Sequence, residues 1–127
     1  MKCKNLKAWE KSVELSSEIY IYFKELKDFG FKNQITHSSL SVPSNIAEGI
    51  ERFSDKETIR FLDIAKGSIA ELITQIYIGI KIKYIDKTTG ERWIEELNHI
   101  GKMLSKIIKR IKTNDKRPTT NGCQGGI

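Results

Sequence analysis

The run Ser41-Val42-Pro43-Ser44-Asn45-Ile46-Ala47-Glu48-Gly49, followed closely by Ser54-Asp55-Lys56-Glu57, decides the fold. Pro43 stands inside a segment, about Phe31 to Glu51, whose residues Phe31, Ile35, Val42, Ile46, Gly49 and Phe53 fall on one helical face. A proline there leaves the Ser39 carbonyl without its helical donor and bends the helix. Ser38, Ser39, Ser41 and Ser44 can hydrogen-bond the disturbed backbone. A kinked helix is expected, with two shorter helices as the alternative. Ser54 and Glu57 have the spacing of a capping box, Ser54 accepting forward while Glu57 reaches back to the cap residue's amide. The helix they start runs to about Lys83. Leu62, Ile69 and Ile76 recur every seven residues, with Ala65, Leu72 and Gly79 between them.

Outward from this block, the end of the third helix alternates apolar and polar residues from Ile78 to Ile85, which is a strand signal. No other segment offers a partner strand, and a lone strand leaves its backbone unsatisfied, so helix is expected. The first helix is expected from about Asn5, a plausible cap, to Lys27. Leu6, Trp9, Val13, Tyr20 and Phe23 form one of its stripes; Leu15, Ile19, Tyr22 and Leu26 form another. Gly30 suits the left-handed residue after its end. Asp86 to Gly90 reads as a turn opening a fourth helix, about Glu91 to Lys112, with an unbroken seam of Trp93, Leu97, Ile100, Leu104, Ile107 and Ile111. Residues 1–112 are thus expected to form one all-α domain, an antiparallel up-down-up-down four-helix bundle. Residues 113–127 hold turn formers and little core material, and are expected to be a disordered tail.

The chain has 127 residues, 39% apolar and 30% charged, enough for one core without disulfides. Cys3 and Cys123 have no metal-ligand spacing around them and read as free thiols, so no cofactor or metal is expected. No apolar run is long enough to span a bilayer and the start has no signal-peptide character, so a cytoplasmic protein without membrane contact is expected. The net charge of +6 is unevenly placed: 15 Lys/Arg meet 15 Asp/Glu through Asn98, and seven meet one from His99 onward. A surplus so concentrated acts locally.

The segments Ser41–Gly49, Arg60-Phe61-Leu62 and Gly67-Ser68-Ile69-Ala70-Glu71-Leu72 are similar to those of the four-helix bundle family related to 23S ribosomal RNA intervening-sequence proteins. The similarity extends from Leu6 to about Lys106. It implies a left-handed bundle and a homo-oligomer, a pentamer in several relatives. It also implies nucleic acid or a protein such as a reverse transcriptase as partner, as for the related accessory variability protein of retroelements. Relatives often carry arginine after the Gln-Ile pair of the second helix, where this chain has Thr36-His37-Ser38.

Three groups of residues are candidates for function. Ser41, Asn45, Glu48, Gly49 and Arg52 share a helix face, either as a functional signature or as a polar network that fixes packing beside the kink. Lys102, Lys106 and Lys109, extended by Arg110 and Lys112, lie two positions after seam residues, about 200° around the helix and away from the core. Phosphate contact is one reading of these cations; a solvated face, favoured near a helix C-terminus by its dipole, is the other. Tyr77, Ile78, Ile80 and Tyr84 belong to the apolar excess of the third helix, which points to association with another subunit. His37 near the serines has the residue types of nucleophilic catalysis, but no motif supplies an oxyanion hole. The expectation is a non-enzymatic oligomeric scaffold or adaptor binding RNA or DNA non-specifically through the fourth helix, with a protein-interaction module as the alternative.

Overall fold

A computed structural model describes residues 6–113. They form four helices: α1 (Lys7–Tyr22), α2 (Phe29–Ile50), α3 (Asp55–Lys81) and α4 (Lys87–Thr113). Each helix packs on its sequence neighbours and α4 closes on α1, while the diagonal pairs stay apart. This is the contact pattern of an up-down bundle. Among the described residues there is no strand. Asn5, Cys3, Cys123 and the expected tail beyond Thr113 lie outside the described residues, and Thr113 itself belongs to α4.

The α4 seam is buried along its whole length, and so are Leu62, Ala65, Ile69, Leu72, Ile76 and Gly79 of α3. In α2, Ile35, Val42, Ile46 and Gly49 are buried, Phe31 is half-buried, and Phe53 lies beyond the helix end and is fully exposed. Pro43 sits inside one α-helix, so the division of this segment into two helices does not occur. On α1 neither expected stripe is buried as a whole. Leu15, Ile19 and Phe23 enter the core, flanked by Ala8, Ser12 and Ser16, whose small side chains bring the neighbouring helices close. Trp9 and Val13 are only half-buried and Tyr20 is exposed.

The helix ends differ most from expectation. α1 stops at Tyr22 rather than Lys27, because buried Phe23 turns the chain and accepts from the Leu26 amide at 3.0 Å. Gly30 is not a left-handed terminator; it lies in the first turn of α2, which Asp28 caps by accepting from the Phe31 amide at 3.2 Å. Likewise Asp86 caps α4 through the Thr89 amide at 3.1 Å, so the helix begins at Lys87 and Gly90 is a buried helical residue. Ser54 caps α3 as expected, accepting from the Glu57 amide at 3.1 Å, while the Glu57 carboxylate pairs with Arg60.

The left-handed position is Lys83, at φ 69°. The Tyr84 amide donates to the Gly79 carbonyl at 2.9 Å and the Lys83 amide to that of Ile80 at 3.2 Å, the two bonds of a Schellman ending. A side chain in this conformation is strained, whereas glycine is not. Lys83→Gly is therefore expected to stabilise the fold by about 0.5–1 kcal/mol, read as a higher melting temperature at fixed protein concentration.

This ending folds Ile85 back over Gly79. A Cβ on Gly79 would come within 2.4 Å of Ile85 Cδ1, and one on Gly90 within 2.5 Å of Ile80 Cδ1. The two glycines are matching notches that let α3 and α4 meet at their shared turn.

Candidate functional site

The polar residues of α2 form two separate groups. The Asn45 amide donates to the Ser41 carbonyl at 2.8 Å and to Ser41 Oγ at 3.0 Å; Ser41 Oγ in turn shares a hydrogen bond with Ser68 Oγ of α3 at 2.8 Å. Nearby, Ser39 Oγ donates to the Thr36 carbonyl and meets Ser16 Oγ of α1 at 3.0 Å. Hydroxyls thus join α2 to both neighbours in the turn that precedes Pro43. Glu48 takes no part in this network, pairing instead with Arg52 one turn on. Arg52 also lies 4.7 Å from the Phe61 ring centroid, and Arg60 lies 4.4 Å from it. Gly49 lets α2 come close to α3: Thr58 Oγ1 donates to its carbonyl at 2.8 Å, and a Cβ there would sit 3.0 Å from Phe61 Cβ and 3.2 Å from the Thr58 carbonyl oxygen. His37 is exposed, and among the described residues it makes no hydrogen bond to a serine. Among the described residues no group of side chains could hold a metal ion.

At the opposite end of the bundle lies a clamp that the sequence did not reveal. Trp93, fully buried, donates its indole N–H to Glu18 Oε2 at 3.1 Å, and Glu18 also pairs with Arg92. The Trp93 ring meets Tyr22 edge-on at 5.0 Å and lies 6.2 Å from Phe23. Phe31 and Tyr84 extend this aromatic chain, and the Tyr84 hydroxyl donates to Asp28 Oδ2 at 2.7 Å. That bond holds the Asp28 carboxyl below its ordinary range and pushes the Tyr84 phenol up.

The hydrogen bond from Arg92 lowers the Glu18 pKa below its ordinary 4.5, helped by Trp93 and opposed by burial. A lowered folded pKa stabilises the fold above the unfolded value, and the contribution disappears as pH falls from about 4.5 through the folded value. Glu18→Gln is therefore expected to flatten this part of the acid-unfolding curve, with little effect of pH between 5 and 7. Thermal melts across that range check it.

On α4, Lys102, Lys106, Lys109, Arg110 and Lys112 are all exposed, and the first three lie opposite the Trp93–Ile111 seam. Among the described residues Lys102, Lys106 and Lys109 have no carboxylate partner. Glu91 and Glu95 lie on the same side nearer the start of the helix, so α4 is acidic at its N-terminal end and basic at its C-terminal end, as its dipole favours.

The apolar excess of α3 divides in two. Ile80 packs at Gly90, and half-buried Tyr84 stacks edge-on against Phe31 at 5.2 Å. Tyr77 and Ile78 stay 55% and 47% exposed, leaving these two of the four as surface candidates.

The fold and its polar seams define a four-helix up-down bundle whose distinctive sequence blocks join α2 to α3. The 23S rRNA-intervening sequence protein description matches residues 4–106, and the chain belongs to that family. It is similar to the crystal structure of a protein of unknown function from the S23 ribosomal protein family of Bacteroides thetaiotaomicron. The two are 29% identical with a TM-score of 0.75, over 80% of this chain and 98% of that one. No curated protein matches the chain. Among the described residues no helix is long and apolar enough to cross a membrane.

Proposed function

We propose that this chain is a non-enzymatic, cytoplasmic scaffold. It assembles as a homo-oligomer, a pentamer by the family resemblance, and holds RNA or DNA through the outward face of α4. The observation that carries this reading is the row Lys102, Lys106 and Lys109, exposed and without carboxylate partners among the described residues. Cations arranged along one helix face suit a phosphate backbone, whose recognition is independent of base sequence. No aromatic residue interrupts the row, so base stacking has no part in it. Repetition around an oligomer would let individually weak contacts add. The bundle itself is taken to be left-handed and bent at Pro43, where the Ser39 carbonyl loses its helical donor.

Binding of labelled RNA and labelled duplex DNA at low salt tests this reading. Comparable affinity for unrelated sequences of either polymer is expected. No binding to either reduces the lysines to a solvated face and leaves a module whose partner is a polypeptide.

A further inference from the structure

An open groove of about 550 Å³ runs along the outside of α3 and α4. Its floor is Ile69, Ile73 and Leu97, and its walls carry Lys66 of α3 and Lys102 of α4. No carboxylate lines it, and among the described residues neither lysine is ion-paired. The carboxylates on this side are Asp55 and Asp63 of α3, beyond one end of the groove, and Glu91 and Glu95 of α4, beyond the other. Glu71 turns to the far side of α3, and Glu96 pairs with Lys11 of α1. Two glycines have no partner inside the chain. Gly49, Gly79 and Gly90 lack a side chain because a neighbouring residue fills the space, whereas Gly101 on the groove would place a Cβ no closer than 4.0 Å to any neighbour, and Gly67 beside Lys66 has nothing within 4 Å. Glycine weakens a helix relative to alanine, and packing within the chain calls for it at neither position.

We propose that this groove takes an unpaired base of single-stranded RNA or DNA, with the flanking phosphates on Lys66 and Lys102. This rests on the nucleic-acid reading of α4 and adds to it the kind of strand and a residue of α3. An apolar floor between two cations, one on each wall, is complementary to a flat base between two phosphates. The groove lies within the roughly 300–1,000 Å³ of clefts that hold small molecules, so it has room for a base. In a duplex the bases are paired and turned inward, and the protein meets the backbone first. A duplex therefore reaches the ridge of Lys102, Lys106 and Lys109 but not the floor between the helices. In a single strand the bases turn freely, and one can leave the strand for the groove. No aromatic side chain lines the groove, so the base packs on aliphatic side chains without ring stacking and without regard to its identity. The space left open at Gly101 is what admits it.

Filling the groove without changing its charge tests this. Labelled oligothymidylate, a single strand without pairing of its own, and a labelled DNA duplex are titrated with the full chain over a series of salt concentrations, and circular dichroism confirms helicity. Gly101→Leu should weaken oligothymidylate binding roughly tenfold, the scale of one buried apolar group, and leave duplex affinity within about twofold. Its single-strand salt slope should match that of the wild type, because no phosphate contact is lost. Gly101→Ala, which leaves most of the groove open, should bind both polymers as the wild type does. Lys66→Gln should lower the single-strand slope by about 0.7, the loss of one phosphate contact. A wild type that binds both polymers while Gly101→Leu and Lys66→Gln bind oligothymidylate unchanged overturns the groove and leaves the basic face of α4 standing. Equal weakening of both polymers by Gly101→Leu overturns it as well, because the groove then does not distinguish unpaired bases. A wild type that binds the duplex but not oligothymidylate overturns the groove alone, and one that binds neither overturns both readings.

Discussion

Trp93→Ala is expected to lower the unfolding free energy by about 3–5 kcal/mol, the cost of emptying a large buried aromatic site. Trp93 is fully buried where α1 and α4 meet, and its loss leaves a void against Tyr22 and Phe23. It also removes the indole donor from Glu18, leaving Arg92 as that carboxylate's remaining side-chain donor. A domain of this size has about 5–15 kcal/mol in total, so the variant sits near the threshold of folding. Trp93→Phe keeps an aromatic ring in the site and should cost clearly less, separating packing from the hydrogen bond. Denaturant unfolding followed by circular dichroism measures both, at one protein concentration because association adds to apparent stability. A loss below about 1 kcal/mol for Trp93→Ala would mean that this end of the bundle is held by something other than the aromatic chain.

What could be read in the sequence depended on how far each signal extends along the chain. The seams of α3 and α4 were legible because apolar residues repeat over several turns, in α3 even against the apolar excess of its C-terminal part. α1 was ambiguous for the opposite reason: it has two apolar stripes, and the buried face draws on both, aligned by Ala8, Ser12 and Ser16, which carry little hydrophobic signal. The helix ends were read poorly at Asp28 and Asp86, whose caps look like turns when followed by glycine or threonine. The left-handed Lys83 could not be anticipated, since only its surroundings force a lysine into that conformation. The basic face was legible by counting charges. The Trp93–Glu18 bond and the packing of the aromatic chain across helices join residues distant in sequence, and the approach of Arg52 to Phe61 needs the turn between α2 and α3.

Replacing Lys102, Lys106, Lys109 and Arg110 together by glutamine is expected to abolish most nucleic-acid affinity while leaving the bundle folded. All four are exposed on the side of α4 away from its core seam, so the folded state loses charge but little packing. Their contribution to binding is the release of counterions from the phosphate backbone, which makes affinity fall with salt in proportion to the phosphates neutralised. A variant that lost affinity through misfolding would lose helicity as well; this one should keep its circular dichroism spectrum.

The most direct measurement is the affinity for a labelled duplex DNA across a series of salt concentrations, wild type beside the four-glutamine chain. On a log–log plot the wild type should fall with a slope of about −0.9 for each phosphate neutralised, and the variant should bind weakly with a nearly flat line. Equal slopes for the two proteins, or a wild type that binds no nucleic acid even at the lowest salt, would contradict a phosphate-binding role for the basic face of α4.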